Sequence, residues 1–274
     1  MSAQLDRQDR TDVASERPLA HRSSAMHDFV TVAGRAIRSV FREPEFMIPA
    51  LIVPVFFYVV NVGALQDFAE QSGSVDDFKA FQLPVAIIFA VTGISRAGAL
   101  VTDIQGGYFD RLLLTPIRRP MLLLGLMAAD VVAIILLTIP VLLLGLAFGV
   151  RFETGVLGMI VFIAYGAVWG LAFAGFPYAI ALKTGNPAAV NSSFILFFPF
   201  AFLTTSFLPQ EALTGWMATI ADYNPVTYVL AGLRSLITGW EFRTLAEGLA
   251  ATFALMAISF GLASLAMRGR VRRG

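Results

Sequence analysis

The chain has 274 residues, 57% of them hydrophobic and 14% charged, with a mean hydropathy of +0.73; soluble domains carry about 25% charged residues, so that class is excluded. The formal net charge of +1 says little until its distribution is read. The absence of cysteine excludes disulfides, thiolate nucleophiles and cysteine metal sites.

Residues 1–25, "MSAQLDRQDRTDVASERPLAHRSSA", mix both charge signs with Ser and Pro and lack the continuous apolar core of a secretory signal. A disordered cytosolic tail is expected there, followed by one membrane domain over residues 26–274. Residues 27–42, "HDFVTVAGRAIRSVFR", are amphipathic at helical spacing. Phe29, Val30, Ala33, Ala36, Ile37, Val40 and Phe41 share one arc, Arg35, Arg38 and Arg42 the opposite one, and Val32 is the exception. Such a helix is expected along the inner leaflet, where anionic lipids attract arginine, in preference to packing on protein.

A spanning helix needs about 20 mostly apolar residues. Six stretches qualify: Phe46–Leu65, Gln82–Thr102, Met121–Val150, Gly155–Leu182, Val190–Leu208 and Gly248–Met267. Pro140 and Pro177 are the expected bending points of the third and fourth. Small residues four apart, Gly93/Ala97, Gly125/Ala129 and Gly166/Gly170/Ala174, permit close helix approach.

Arg96 and Asp130 are the ionisable residues inside spans, and such residues are functional candidates. Both fall about 10–13 Å from the same boundary on consecutive antiparallel spans, by the 1.5 Å helical rise. Two readings stand: an ion pair within the bundle, or an Arg96 that snorkels to the surface beside an Asp130 that meets a hydroxyl.

Between the second and third spans runs "DIQGGYFDRLLLTPIRRP". Gly106-Gly107 opens it, and Pro116 and Pro120 close it. Tyr108, Phe109, Leu112 and Leu113 form an apolar face, with Asp110 and Arg111 polar. One short helix is expected, either presented to a soluble partner or lying on the inner leaflet.

The connection from Pro209 to Glu247 is too apolar for a plain loop. "EALTGWMATIA" and "PVTYVLAGLRSLITG" read as short helices separated by "DYNP", with Asn224 initiating and Pro225 at the first helical position. Val229, Leu230, Leu233, Leu236 and Ile237 recur at helical spacing, and Trp216 and Trp240 suit the membrane–water interface. A re-entrant external pair is expected, since Val226–Trp240 is too short to cross.

Lysine and arginine set the orientation. With the N-terminus inside, 15 of them fall on the inner segments and four on the outer ones, with Arg96 left in a span. Both termini and the 103–120 segment are therefore expected in the cytosol. The 18 arginines against two lysines point to a GC-rich bacterial genome.

The two segments together resemble type-2 ATP-binding-cassette permeases, in particular the daunorubicin/doxorubicin resistance exporter branch. "DIQGGYFDRLLLTPIRRP" is similar to that family's acidic–Gly–aromatic–(D/E)R–L–x–x–x–P–I–x–R segment. "DYNPVTYVLAGLRSL" is similar to its NP-x-T-Y–(A/G)-L-R-x-L segment before the last span. The likeness covers about residues 26–270.

It implies an all-α integral membrane fold of six spans with cytosolic termini, a cytosolic amphipathic helix before the first span and an external re-entrant pair before the last. It implies that Gly107, Phe109, Asp110, Arg111, Leu112 and Pro116 form a coupling helix that docks on a separate ATP-hydrolysing subunit. Phe109 and Leu112 would serve there as apolar anchors and Asp110 and Arg111 would fix register. Asn224, Pro225, Tyr228 and Arg234 carry the external motif. In this family two membrane domains face each other across the first and fifth spans, so that Asn191, Phe194 and Phe198, with Phe197, Phe202 and Phe207, would line an apolar path for drugs or lipids.

The chain lacks G-x-x-x-x-G-K-[ST], so it has no phosphate cradle of its own; ATP and Mg are expected in the partner, with no cofactor, metal or catalytic residue here. The expected protein is a homodimeric permease in a bacterial inner membrane that exports a hydrophobic or amphipathic compound. An exporter of polysaccharide or complex lipid is the alternative within the class. An ion-coupled secondary transporter would need internal repeats with helices broken at the midplane, and no self-similarity is seen.

Overall fold

The computed structural model describes residues 25–42, 44–113 and 119–271, which are helical apart from short connections. The expected tail, up to position 24, lies outside the described residues. Among the described residues, five helical stretches are long and apolar enough to cross a membrane: Met47–Gln71, Phe78–Gln105, Met121–Ala147, Gly155–Thr184 and Phe242–Arg270.

In chain order the elements are α1 (Ala25–Val40), α2 (Pro44–Gln71), α3 (Phe78–Thr92), α4 (Ala97–Gln105), α5 (Tyr108–Leu113), α6 (Arg119–Ala147) and α7 (Gly155–Thr184). After these come α8 (Pro187–Ser192), a 3₁₀ turn (Ser193–Leu196), α9 (Phe197–Phe202), α10 (Gly215–Tyr223), α11 (Pro225–Thr238) and α12 (Phe242–Val271). Asp77 starts α3 by accepting from the Ala80 N–H at 3.0 Å. The Gly185 N–H closes α7 on the Ala181 carbonyl at 2.8 Å, and Asn186 opens α8 by accepting from Ala188 at 2.9 Å, with Pro187 at the first helical position.

Three sequence expectations change. The fifth expected span, Val190–Leu208, is helical only as the run Pro187–Phe202, interrupted by the 3₁₀ turn. The second, Gln82–Thr102, is two helices separated at Gly93–Arg96. The amphipathic helix α1 packs on protein: Val32, Ala33, Ala36 and Val40 are buried, and α1 lies against α6. Val32, the exception to the apolar arc, is thus part of the buried face. It fits because position 125 is glycine; an added Cβ there would stand 2.8 Å from the Val32 Cβ. Met26, Val30 and Phe41 remain exposed, available to lipid. The helices α6 and α7 run on through Pro140 and Pro177.

The centre of the molecule is α3 and α7. Helix α3 packs on α2, α6 and α7, while α7 also meets α6, α11 and α12. The central window of the α3–α4 span is 72% buried, against 17% for α2 and for the last span, so the first and last spans are the outer flanks. The predicted face of α11 is the one that turns inward: Val229, Leu230, Leu233, Leu236 and Ile237 are all buried. Trp216 and Trp240 are exposed.

Helices α7 and α12 approach closely at Gly175, outside the expected small-residue rows. A Cβ there would sit 2.5 Å from the Ser259 Oγ and 2.7 Å from its backbone carbon. The same Ser259 hydroxyl donates to the Ala172 carbonyl at 2.5 Å. Gly175→Leu must therefore push two backbones apart, and overpacking of this kind costs about 1–3 kcal/mol. Its expected result is a lowered melting temperature and reduced monodisperse yield in detergent, read by fluorescence-detected size exclusion. The predicted Gly166 and Gly170 pack differently, receiving Ile87, Val91 and Ile134 side chains, which can adjust.

Candidate functional site

The short helix α5 hangs from the end of α4 by a two-glycine turn. The Gly106 N–H donates to the Thr102 carbonyl at 2.9 Å and the Gly107 N–H to Ile104 at 3.1 Å. Gly107 has φ of +68°, a backbone state that costs an L side chain roughly 1–2 kcal/mol, so a glycine is needed to reverse the chain here. The Arg111 N–H then donates back to the Gly107 carbonyl at 3.2 Å.

The side chains divide differently from the expected pattern. Phe109 is only 1% exposed and belongs to the main hydrophobic core. It anchors α5 to its own protein and is not an exposed docking anchor; an aromatic side chain beside a bundle end buries itself there. Tyr108 and Arg111 face outward, and Leu112 is half-buried. The Asp110 side chain and Pro116 lie outside the described residues.

Two residues that the motif reading left without a role hold this handle in place. Arg35 of α1 pairs with Asp103 of α4 at 2.6 Å, and its guanidinium lies 4.4 Å from the Tyr108 ring centroid, within cation–π range. One arginine thus joins α1, α4 and α5. The acidic residue at the head of the quoted segment was the available signal for it.

Arg96 and Asp130 are brought together at the break between α3 and α4, though by a different contact from the pairing that their sequence positions suggested. The Asp130 Oδ1 accepts from the backbone N–H of Arg96 at 2.6 Å. The Ser95 Oγ accepts from the Ala97 N–H at 3.1 Å, and the Arg96 Nη2 donates to the Ser39 Oγ at 2.7 Å. Asp130 is fully buried and Arg96 is 6% exposed. The first N–H groups of a helix have no intrahelical acceptor, and lipid offers none. A carboxylate from a neighbouring helix supplies one, which is why an acid can sit inside α6. On the other side of the break, the Trp169 Nε1 donates to the Thr92 Oγ1 at 2.9 Å, tying the end of α3 to α7. The short α4, about 13 Å by helical rise, is therefore a separate rod with a fixed upper joint and α5 at its lower end.

At the other end of the bundle the second motif is a clamp. The Asn224 Oδ1 accepts from the Val226 N–H at 3.0 Å, capping α11, while its Nδ2 donates to the carbonyls of Phe200 at 2.6 Å and Leu203 at 2.7 Å. The Tyr228 hydroxyl donates to the Asp222 carbonyl at 2.7 Å, and Pro225 takes the first helical position. The Arg234 guanidinium donates to the Phe81 carbonyl and to Thr205 through both Oγ1 and the carbonyl, and lies 3.5 Å from the Phe81 ring centroid. Burial lowers the pKa of this arginine. These contacts fasten the end of α9 and the start of α3 to α11. The Thr204 and Thr227 hydroxyls, bonded at 2.6 Å, add a strut that the motif reading did not use.

The residues expected along a path separate into two sets. Asn191 and Phe198 are exposed and Phe194 is half-buried. Phe197 is buried against Phe89 and Phe173, and Phe202 stacks on Phe207 at 5.7 Å. Of these only Phe197 is internal packing; Phe202 is exposed and Phe207 half-buried, and they share the accessible edge with Asn191, Phe194 and Phe198. Among the described residues no group of three or more His, Cys, Asp or Glu could hold a metal.

Comparison with known proteins agrees with this arrangement. A family model described as ABC-2 type transporter matches residues 27–238. The chain is 28% identical over 255 residues to the daunorubicin resistance ABC transporter permease protein DrrB1 of Streptomyces coeruleorubidus, covering 88% of this chain and 87% of that protein. It is 24% identical over 199 residues to the probable doxorubicin resistance ABC transporter permease protein DrrC of Mycobacterium tuberculosis, covering 72% of each. A putative transport permease, ycf38, of Pyropia yezoensis is 22% identical over 232 residues, 80% of this chain and 77% of that one.

Proposed function

The chain belongs to the ABC-2 type transporter family of multi-pass membrane permeases, and from that premise we propose that it is the membrane half of an ATP-driven exporter of hydrophobic or amphipathic compounds. The observation that carries the coupling part of this reading is the rod α4 with its handle α5. The rod is jointed at Gly93–Arg96, is fixed there by Asp130 and Trp169, and carries Tyr108 and Arg111 outward. A partner that grips Tyr108 and Arg111 moves α4 about that joint. Phe109 and Arg35 transmit the displacement to the core and to α1.

In this reading the α5 side faces the cytosol, as the 15-to-four distribution of basic residues favours, in a bacterial inner membrane. ATP and Mg²⁺ belong to a separate subunit, which performs the hydrolysis, and two copies of the chain form the pathway between them. The cargo class is supported by the drug names borne by two relatives and by the accessible Phe194 and Phe198 edge.

Reconstitution tests it. The tagged chain, co-expressed with the ATPase subunit of its operon, is expected to co-purify with it in equal amounts. Inside-out vesicles holding both are expected to accumulate a fluorescent anthracycline on ATP addition. Accumulation driven by a proton or sodium gradient in vesicles holding this chain alone would overturn the reading.

A further inference from the structure

The lower end of α4 touches a second element besides the handle. Helix α4 packs on α7 and on α8. Its last residue, the exposed Gln105, donates from Nε2 to the Gly185 carbonyl at 3.0 Å, across 80 residues of sequence. Ile104, which is buried, meets the same place: a Cβ added at Gly185 would stand 3.5 Å from the Ile104 Cγ2.

The residues next in sequence leave that carbonyl without a donor. Carbonyls at the end of a helix lack intrahelical partners, and Gly185 closes α7 with φ of +60°. The Asn186 N–H donates to the Thr184 Oγ1 at 3.2 Å and the Ala188 N–H to the Asn186 Oδ1 at 2.9 Å. Residue 187 between them is proline, which has no N–H. Gln105 supplies the donor from another helix.

The bond stands where motion of α4 is largest. A tilt of about 10° about the Gly93–Arg96 joint moves the lower end of a rod of about 13 Å by about 2 Å, more than a hydrogen bond tolerates. Either the bond breaks or the turn at Gly185 follows. Helix α7 is held along its length by α3, α6, α11 and α12. Helix α8 has six residues and runs into a 3₁₀ turn, so it is the part free to follow. It carries Asn191, and the 3₁₀ turn carries Phe194.

We propose that Gln105 is a positioning residue for transport: it yokes the rod α4 to the head of α8, so that a tilt of the rod moves the accessible edge at Asn191 and Phe194. This rests on the permease reading for what pulls the handle and for what passes the edge. The yoke itself is a property of this chain alone.

Two measurements test it. In inside-out vesicles holding the chain and its ATPase subunit, Gln105→Leu keeps the bulk of the side chain and removes the donor. Anthracycline accumulated per ATP hydrolysed is expected to fall about fivefold, the equivalent of one neutral hydrogen bond, with ATP hydrolysis within about twofold of wild type. Gln105→Arg, a longer side chain with donors only, is expected to restore most of the ratio. In the chain alone in lipid nanodiscs, the amides of residues 187–196 are expected to exchange hydrogen about fivefold faster in Gln105→Leu, and those of α7 to keep their rates. Gln105→Ala serves in both assays if the leucine variant folds poorly. An unchanged cargo-to-ATP ratio, an equal fall in Gln105→Arg, or unchanged exchange in α8 would each overturn the proposal. A fall in ATP hydrolysis in step with transport would place Gln105 at the motor contact and overturn it as well. Wild-type vesicles without ATP-driven accumulation sink the permease reading, and exchange in α8, measured without the ATPase subunit, still decides the yoke.

Discussion

ATP-driven export by a complex carrying Arg111→Glu is expected to fall by about tenfold or more, with the amount of permease in the membrane unchanged. The side chain is exposed, and the described hydrogen bond at this position is made by its backbone. An exposed substitution of this kind alters stability by no more than about 0.5 kcal/mol. A reversed charge at a docking surface, in contrast, costs several kcal/mol, and about 1.4 kcal/mol is already tenfold. The measurement is drug accumulation in vesicles beside ATP hydrolysis and permease content. Arg111→Lys should retain most of the transport. Phe109→Ala separates the two roles within one helix. Its ring is buried, so it is expected to lose about 3–5 kcal/mol of stability and to fail at the level of folded protein. Undiminished export by Arg111→Glu would remove α5 from the coupling path.

Asp130→Ala is expected to destabilise the membrane domain by about 2–4 kcal/mol, because it leaves the buried N–H of Arg96 without its acceptor and removes a negative charge next to a buried guanidinium. Asp130→Asn keeps an oxygen at the same place and should cost about 1 kcal/mol, the difference between a charged and a neutral acceptor. The ordering wild type, Asn, Ala in melting temperature is the readout. The exchange Arg96→Asp with Asp130→Arg is not expected to restore the wild type, since arginine has no acceptor for a backbone N–H. Restoration by exchange would show that the side-chain charges alone matter.

These expectations depend on features that the sequence displayed unevenly. The five long spans were legible because twenty apolar residues leave a chain few alternatives in lipid. So was α11, where Asn224-Pro225 supplies a cap and the spacing of Val229, Leu233 and Leu236 supplies a face. The interruption at Gly93–Arg96 was not. Hydropathy averages across it, and the group that stabilises it, Asp130, comes from another helix 34 residues away. Phe109 was assigned outward because a six-residue helix has too few turns to tell which face meets the bundle. Helix α1 was misjudged for a similar reason: the notch at Gly125 that receives Val32 lies on a different element. Local periodicity reports that a face exists, whereas what covers it is decided by shape elsewhere in the chain.

The Asn224 clamp bears on how the protein is made. The six residues of α9 cannot cross a bilayer alone, and the groups that hold the end of this segment, Asn224, Thr227 and Arg234, emerge from the ribosome later. A nascent chain halted before position 224 has Phe197 to pack on Phe89 and Phe173, which precede it, but lacks the clamp at the end of the stretch. That clamp closes only once the following pair of short helices has been synthesised, so the end of this stretch is the last part of the fifth apolar run to be fixed.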